Sequence, residues 1–398
     1  MTATTDLDRK NQPAVWIILV TVVLAYTFFY VVNVSLDYTS CKLCDAHQYE
    51  KLYSYFETGR VSVINHPFYN RPLVPLLASL VPGDQMGLAF DLVNFLFFVG
   101  SIYMLVQLWT YLKIRPLYQY VGFGWLILHW TGIIRYNLYD NITVDVPLYF
   151  FQSMALLFFF QGKFKHFYWL IPLALLQKES FLAVMVLLTV VHFIFAERDD
   201  RWPEGKHLLL SLVLGIAIQK SLLALMPDQS DQRSSLMALL YHGRLVVDDP
   251  SRIIRWFAAF GSAFGLLPFV VLFRFRFSRL KNQQYGTLIL LSLCYCAFGM
   301  LAGEDMTRIL FLGFPFIMTL TLIELSRVSR WILSSGLLLS LVSLRLDHIA
   351  IDYRWAVDYA NLEYVYGWAS YYAVALVVFA VVYFWKEKNR TRSVNNSN

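Results

Sequence analysis

Long apolar runs recur along the whole chain, and they limit what it can fold into. The first, residues 14–34, and several later runs reach the ~20 residues that a helix needs to cross the hydrocarbon layer of a bilayer. Hydrophobic residues make up 58% of the chain and charged residues only 15%. Because only helices and closed barrels satisfy their backbone hydrogen bonds in lipid, we expect an all-α polytopic bundle of about 11–13 transmembrane spans.

The apolar runs also give the domain organisation. They place spans at 14–34, 86–112, 118–134, 146–161, 168–177, 180–196, 207–226, 254–273, 285–302, 309–325, 331–345 and 369–385. Residues 14–385 are then a single transmembrane domain, with disordered cytoplasmic tails at 1–13 and 386–398. The first run is too long for the core of a signal peptide and has no small-residue cleavage site after it, so we interpret it as a retained anchor.

Lysine and arginine predict the orientation. With the N-terminus inside, the inner segments hold 19 of these residues and the outer segments 13, in the direction typical of membrane proteins. Residues 168–196 are long for one span and short for two. A single crossing there would put the basic loop at 274–281 and the basic C-terminus outside, so we predict two short arms that meet near Lys178 and Glu179 at the outer face, with both termini cytoplasmic.

The polar segments then gather on the outer side. They are the first extracytoplasmic loop, 35–85, the break at 177–180, and the loops 135–147, 227–253, 303–308 and 346–368. The inner loops are short and contain no glycine-rich nucleotide-binding loop. The net charge of +6 is explained by orientation rather than by nucleic-acid binding. Any chemistry is therefore expected at the outer face.

The first outer loop carries a candidate catalytic carboxylate, Asp45. The residues after it, Tyr49, Tyr53 and Phe56, recur at helical spacing and predict an amphipathic helix that lies on the bilayer. Asp45 can be a general base towards an acceptor hydroxyl or amine, or simply the N-cap of that helix.

A CxxC pair, Cys41 and Cys44, comes just before Asp45. It is interpreted as a structural disulfide, with a redox-active pair as the less favoured alternative, and a metal site would need two more ligands that the sequence does not offer. Further along the loop, Arg71 offers a rigid fork of donors for phosphate oxygens, or else extends to lipid headgroups. His66 either assists Arg71 or is structural.

More charged residues stand at the outer ends of later spans. They are Asp140, Asp145, Lys178, Glu179, Asp305 and Arg308. Asp145 heads a span, where a charge is less unfavourable than at the bilayer centre. We expect Lys178 and Glu179 to form ion pairs inside the protein. Asp305 and Arg308 are one helical turn apart and are expected to pair with each other.

The order of these features resembles the GT-C superfamily of integral-membrane glycosyltransferases, which use polyprenyl-phosphate-linked sugars. The matching features are D-A-x-x-Y at 45–49, P-F-x-x-R-P-L-x-P at 67–75, Asp145 at the head of a span, K-E-S at 178–180 and D-x-x-R at 305–308. The resemblance covers most of residues 14–325. The chain lacks the C-terminal soluble domain of larger members, and its CxxC has no counterpart in the family pattern.

The resemblance implies a membrane glycosyltransferase of the cell envelope, located in a bacterial inner membrane. Sugar would pass from a polyprenyl-phosphate donor to a lipid, glycan or protein acceptor at the extracytoplasmic face, with Asp45 as general base. Arg71 and either Lys178 or Arg308 would hold the lipid phosphate. Asp140 and Asp145 would position acceptor or sugar, or hold a divalent cation, Mg²⁺ or Mn²⁺. The candidate substrate-binding residues are therefore His66, Arg71, Asp140, Asp145, Lys178, Glu179, Asp305 and Arg308.

Two other functions compete with this one. A transporter or lipid-linked-glycan flippase would suit the many spans and the broken helix pair. Transporters usually place substrate charges near the midplane between repeats, whereas here the charges gather at one end, with Asp91 and Lys220 as exceptions that could line a pathway, and no repeat is visible. The third interpretation is an assembly protein of an envelope polysaccharide system, in which the charges would be structural.

Overall fold

The structure is a computed structural model that describes residues 15–39, 41, 44–65, 67–83, 85–226, 235–301, 303, 305–346 and 361–395. Every regular element in these ranges is a helix. The first nine are α1 Val15–Val32, α2 Ala46–Thr58, α3 Leu73–Ser79, α4 Met86–Tyr111, α5 Pro116–Leu128, α6 Arg135–Tyr139, α7 Val146–Phe160, α8 Phe167–Gln177 and α9 Phe181–Phe195.

The second half of the described chain continues the same pattern. Its helices are α10 Arg198–Ala224, α11 Ser235–Asp248, α12 Ser251–Phe264, α13 Phe269–Arg274, α14 Gln283–Leu301, α15 Met306–Phe311, α16 Phe314–Leu325, α17 Arg330–Ser340 and α18 Leu362–Asn395. Short 3₁₀ turns occur at Phe68–Asn70, Phe164–His166, Phe277–Lys281 and Leu341–Leu344.

The lengths and compositions of the helices identify a membrane protein. Within the described ranges, α1, α4, α10, α14 and α18 are five helices long and apolar enough to cross a bilayer, and α7, α9, α16 and α17 are shorter apolar helices. Helix α1 leaves large apolar side chains such as Leu24 and Val31 exposed. In a bilayer these side chains contact lipid, which is as apolar as they are.

The core lies between closely packed helix pairs. Helix α4 packs along α7, α8 along α10, and α14 against α9, α15 and α16. Indole donors join elements that are distant in the chain, since Trp109 Nε1 donates to Thr319 Oγ1 at 2.8 Å and Trp125 Nε1 to the Ala263 carbonyl at 3.0 Å. Such bonds between helices satisfy polar groups that have no access to water.

The predicted break between two short arms is confirmed. Helix α8 ends at Gln177, Lys178 has an extended backbone with φ −161° and ψ 128°, and α9 begins at Phe181. The Gln177 side-chain amide donates to the Val144 carbonyl in the loop before α7, which ties the break to a neighbouring loop. The break is thus part of the packed protein, as polar backbone at membrane depth has to be.

Three predicted spans are divided in the structure. The run at 254–273 breaks between α12 and α13, where Gly265 has φ +60° and Pro268 follows. The run at 309–325 breaks before Pro315 into α15 and α16, and the run at 118–134 leaves the helix after Leu128. Hydropathy alone did not reveal these breaks, because glycine, proline and turn residues lie inside sequence that stays apolar throughout.

The amphipathic helix of the first outer loop is confirmed as α2, but its apolar side was assigned to the wrong surroundings. Tyr49 and Tyr53 are buried against protein, in a cluster with Val74 of α3 and Phe90 of α4. The prediction that this face lies on the bilayer is therefore wrong. Periodicity identifies the apolar face of a helix but not what covers it.

The chain ends also differ from expectation. The predicted disordered tail at 386–398 is helical as far as Asn395, because α18 continues past its apolar part. Lys386 contributes by placing its ammonium group over the rings of Trp331 and Trp385, at 5.1 and 4.5 Å from their centroids. The predicted N-terminal tail, 1–13, lies outside the described residues.

Candidate functional site

Most of the charged residues singled out in the sequence stand at helix boundaries, and the fold brings these boundaries together. Asp45 precedes α2, Arg71 precedes α3, Asp145 precedes α7, and Lys178 and Glu179 lie between α8 and α9. Prolines fix several of these boundaries: Pro72 begins α3 and Pro147 lies in the first turn of α7, where a missing N–H leaves no bond unmade. We call Asp45, Arg71, Asp145, Lys178, Glu179, Asp305 and Arg308 the charged cluster.

Arg308 is the centre of the charged cluster. Its guanidinium lies 3.5 Å from Asp45, 3.5 Å from Asp145 and 3.0 Å from Asp305. The Asp305 contact confirms the predicted pair. Arg308 Nη1 also donates to the Tyr136 hydroxyl at 2.7 Å. Two of the three carboxylate contacts are long for a charge-assisted hydrogen bond, and Nε makes no hydrogen bond within the described chain.

Asp145 and Lys178 form a tight buried pair. The Lys178 ammonium donates to Asp145 Oδ1 at 2.5 Å, and both side chains are 10% exposed. Burial alone would raise the pKa of Asp145, but Lys178 and Arg308 hold that pKa well below its usual range. The contacts therefore run in a chain, from Asp45 through Arg308 and Asp145 to Lys178. Asp145, whose position at the start of a predicted span left its role open, is therefore a buried carboxylate held by Lys178 and Arg308.

Arg71 is held by Glu179. Its Nε and Nη2 donate to the two carboxylate oxygens of Glu179 at 2.9 and 2.6 Å, and its Nη1 donates to the Tyr49 hydroxyl at 3.2 Å. This two-pronged geometry is the strong form of the arginine–carboxylate pair. Arg71 is therefore buried and links the first outer loop to the break between α8 and α9, and it does not extend to lipid headgroups. The expected pairing inside the protein is confirmed for Lys178 and Glu179, each with a partner distant in sequence.

Asp45 occupies the N-cap position of α2 without acting as a cap. Its side chain makes no capping hydrogen bond, and it is instead 3.5 Å from Arg308. With 35% of its side chain exposed, Asp45 is more accessible than Asp145, Asp305 or Glu179. A carboxylate that faces solvent beside a guanidinium can receive a proton from a substrate that arrives from outside.

Asp140 joins this region through a tyrosine. Tyr38 donates its hydroxyl hydrogen to Asp140 or to the Asn141 side chain, each oxygen being at 3.0 Å, and burial raises the pKa of Asp140 to about 6 against the opposing effect of Arg308. The structure thus places Asp140 beside the cluster and not in direct contact with its cations. The candidate His66 lies outside the described residues.

A small cavity opens beside Arg308 and Asp145. Tyr136, Tyr149 and Asn137 also line it, and the side-chain oxygen of Asn137 is buried there without a hydrogen-bond partner in the described chain. None of these three was singled out in the sequence. The predicted outer loop 135–147 contained Tyr136 and Asn137, so a survey of polar side chains in that loop would have found them.

The carboxylates do not fit the divalent cation considered for Asp140 and Asp145. Lys178 occupies one oxygen of Asp145, and Arg308 lies next to the other. In the part of the chain that the structure describes, no three His, Cys, Asp or Glu side chains are arranged to hold a metal ion. We therefore derive no step that involves a metal.

Asp91 and Lys220, the two exceptions to the outer-face charges, lie near helix ends. Asp91 is in the second turn of α4, and Asn141 Nδ2 donates to it at 3.4 Å, which puts it at the same end as the charged cluster. Lys220 is exposed one turn before the end of α10. A long lysine there can extend to the membrane surface. Neither position lies midway along a helix, where a transporter usually holds its substrate.

The CxxC is a disulfide between Cys41 and Cys44, with Cα atoms 5.5 Å apart. It directly precedes Asp45, and the Cys41 carbonyl is 3.0 Å from Nε2 of His47 in the first turn of α2. The bridge therefore restricts the loop that leads to the candidate base. The structure thus contains the disulfide that the sequence left open.

Comparison with known proteins adds no relative. No protein-family model matches the chain, and neither the curated proteins nor the solved structures include a match.

Proposed function

We propose that the protein is a GT-C-like membrane glycosyltransferase that moves a sugar from a polyprenyl-phosphate donor to a lipid, glycan or protein acceptor. The reaction takes place at the extracytoplasmic face of a membrane that the chain crosses about 11–13 times. The bacterial inner membrane is the proposed location, with both termini in the cytoplasm.

One observation carries this proposal. An accessible carboxylate, Asp45, and a buried ammonium group, Lys178, lie at opposite ends of one chain of contacts, with Arg308 and Asp145 between them. Glycosyl transfer from a lipid phosphate needs a base for the acceptor on one side of the anomeric carbon and positive charge for the leaving phosphate on the other. The separation of these charges in the cluster suits the two requirements.

The step proceeds as a direct displacement. Asp45 accepts the proton of an acceptor hydroxyl or amine while the acceptor atom forms a bond to the anomeric carbon. The bond from that carbon to the phosphate oxygen breaks, and polyprenyl phosphate leaves with the bonding electron pair. Arg308 stabilises the negative charge that develops on the phosphate, and Lys178 adds positive charge while it stays bound to Asp145. Arg308 is suited to this role because its contacts with Asp45 and Asp145 are long enough to be exchanged for phosphate oxygens.

The remaining residues position these groups. Arg71 is a positioning residue in this proposal, because two of its nitrogens are bound to Glu179. Asp305 orients Arg308 from the same helical turn. Asp140, which accepts a hydrogen bond from Tyr38, helps to position the acceptor or the sugar.

Transfer of radiolabelled sugar from a membrane lipid extract to endogenous acceptor tests the proposal. We expect Asp45→Asn to keep the fold and to lose about 10²–10⁴-fold in rate, the usual contribution of a general base. Glu50→Gln is the matched control, since it removes the same charge from an exposed position one turn along α2. Thermal unfolding of each purified variant establishes that it is folded.

Two results would contradict the proposal. If Asp45→Asn transfers sugar as fast as Glu50→Gln, then Asp45 is not the base. If the wild-type protein transfers no sugar from any lipid fraction, glycosyl transfer from a lipid phosphate is the wrong reaction.

A further inference from the structure

A second set of charges lies around Glu324, near the C-terminal end of α16. The Glu324 carboxylate is fully buried and accepts hydrogen bonds from Arg274 Nε at 2.9 Å, Arg279 Nη1 at 2.8 Å and Arg327 Nη1 at 2.8 Å. The three arginines come from α13, the 3₁₀ turn Phe277–Lys281 and the turn after α16. We call these four residues the arginine cluster.

The arginine cluster is at the other end of the molecule from the charged cluster. Helices α15 and α16 lead from one to the other, because Arg308 is in α15 and Glu324 is next to last in α16. Sixteen residues separate the two side chains, or roughly 24 Å at the helical rise of 1.5 Å per residue. The arginine cluster belongs to the loops that the lysine and arginine distribution assigns to the cytoplasmic side.

The charge of the arginine cluster is not balanced by its own carboxylate. Three guanidinium groups surround one carboxylate, so a net positive charge remains beside a buried anion. Each arginine donates to Glu324 through only one of its nitrogens. The side chains are 17%, 24% and 47% exposed for Arg274, Arg279 and Arg327, so each guanidinium-bearing side chain reaches the surface of the bundle in part.

Aromatic side chains surround this basic surface. Phe277, in the same 3₁₀ turn as Arg279, is 81% exposed, and Trp331, four residues after Arg327, is 69% exposed. Exposed aromatic rings beside cations at the ends of apolar helices are typical of the interface between hydrocarbon and headgroups. The donors of the arginine cluster therefore stand at the depth of lipid phosphates.

We propose that the arginine cluster is a binding site for the phosphate headgroup of an anionic phospholipid in the cytoplasmic leaflet. Glu324 holds the three arginines in a fixed arrangement, and the nitrogens of Arg274 and Arg279 that do not donate to Glu324 bind the phosphate oxygens. Arginine suits this task because its planar fork matches phosphate geometry. The acyl chains lie along the apolar surface of the helices. This site is independent of the proposed transferase activity.

Lipid titration of the purified full-length chain in detergent tests the site, with binding read by native mass spectrometry and by thermal stabilisation. The probes are phosphatidylglycerol, phosphatidylcholine with the same acyl chains, and inorganic phosphate. We expect the wild type to bind phosphatidylglycerol more tightly than phosphatidylcholine. Replacing both Arg274 and Arg279 by glutamine should weaken phosphatidylglycerol binding about tenfold or more.

Arg276→Gln is the matched control, because Arg276 is an exposed cation of the same loop and donates to no carboxylate in the described contacts. It should change the affinity less than about twofold. Glu324→Gln is a second variant that leaves all three arginines in place. It keeps an oxygen acceptor but removes the charge that holds the arginines, so phosphatidylglycerol binding should become weaker although the net positive charge rises by one unit.

Several outcomes would overturn the site. Equal losses in Arg276→Gln and in the double variant would mean general surface attraction. Tighter phosphatidylglycerol binding in Glu324→Gln would mean that net charge determines binding and that the arrangement held by Glu324 is not a site. Equal stabilisation by inorganic phosphate at the same concentration would mean a free-phosphate site instead of a lipid site.

Discussion

At the scale of single residues, the lengths of the ion pairs separate supporting side chains from exchangeable ones. Arg71 is bound to Glu179 at 2.6 and 2.9 Å, whereas Arg308 is 3.5 Å from both Asp45 and Asp145. A buried arginine that loses its carboxylate leaves an uncompensated charge, so the tight pair is structural. Arg308 is near three carboxylates, so it can exchange one of these contacts for a substrate oxygen and keep the others.

Asp140 gives a pH-dependent prediction. Burial raises its pKa from 3.8 to about 6. Because the folded-state pKa lies above the unfolded one, this group makes the free energy of unfolding fall as the pH rises from ~4 to ~6, by about 3 kcal/mol at most, and the loss persists at higher pH. Asp140→Asn cannot ionise and still accepts a hydrogen bond from Tyr38. We therefore expect the variant to melt at a higher temperature than wild type at pH 7.5, and at a similar temperature at pH 4.

Thermal unfolding of the purified protein between pH 4 and pH 7.5 measures this difference. The exposed Glu50→Gln change should show no such pH dependence. A lower melting temperature of Asp140→Asn at pH 7.5 would mean that the ionised carboxylate stabilises the fold, contrary to the prediction.

At the scale of elements, helix boundaries determine where charged side chains meet. Helix α2 ends at Gly59 in the left-handed conformation, α7 begins directly after Asp145, and α8 stops before Lys178. The boundaries of α7 and α8 each place a charged side chain at the end of an apolar helix. Another helix boundary, between α12 and α13, depends on a single glycine, Gly265.

Gly265, between α12 and α13, provides a prediction about stability. It has φ +60°, and a Cβ added there would lie 2.3 Å from the Ser340 side chain. Ser340 cannot move away freely, since its hydroxyl accepts a hydrogen bond from Leu266 N–H and donates to the Gly336 carbonyl. Gly265→Ala should therefore lower the free energy of unfolding by about 3 kcal/mol or more, through backbone strain and overlap together.

Gly124→Ala is the control for that change. Gly124 lies in α5, and an added Cβ would meet nothing within 4 Å. Alanine is the better helix former by about 1 kcal/mol, so the control should be neutral or stabilising. Denaturant or thermal unfolding of both variants measures the contrast, and equal effects at the two positions would contradict it.

At the scale of the whole molecule, the charged cluster and the arginine cluster lie at the two ends of the bundle. The charged cluster is rich in carboxylates, and the arginine cluster is rich in cations. Helices α15 and α16 connect them directly. Since cytoplasmic loops attract lysine and arginine, the arginine cluster is expected inside and the charged cluster outside.

Cysteine labelling tests this orientation. Val61, in the loop after α2, is 68% exposed, and Phe277 is 81% exposed at the other end. In right-side-out vesicles, Val61→Cys should react with a membrane-impermeant maleimide, and Phe277→Cys should react only after permeabilisation. The wild-type protein, with half-buried Cys294 and Cys296, sets the background. The reverse pattern would place the charged cluster in the cytoplasm.

The sequence by itself determined that the chain is helical, where most of its apolar segments lie and the break at Lys178, because apolar runs and charge act locally along the chain. It also drew attention to the residues of the charged cluster, since a charge next to an apolar helix needs a reason. Only the tertiary structure decided their partners. Arg71 with Glu179, and Arg308 with Asp45, join residues that are more than a hundred positions apart, and helix packing selects such pairs without a trace in local sequence. The same holds for the apolar side of α2, which the sequence could describe but not place.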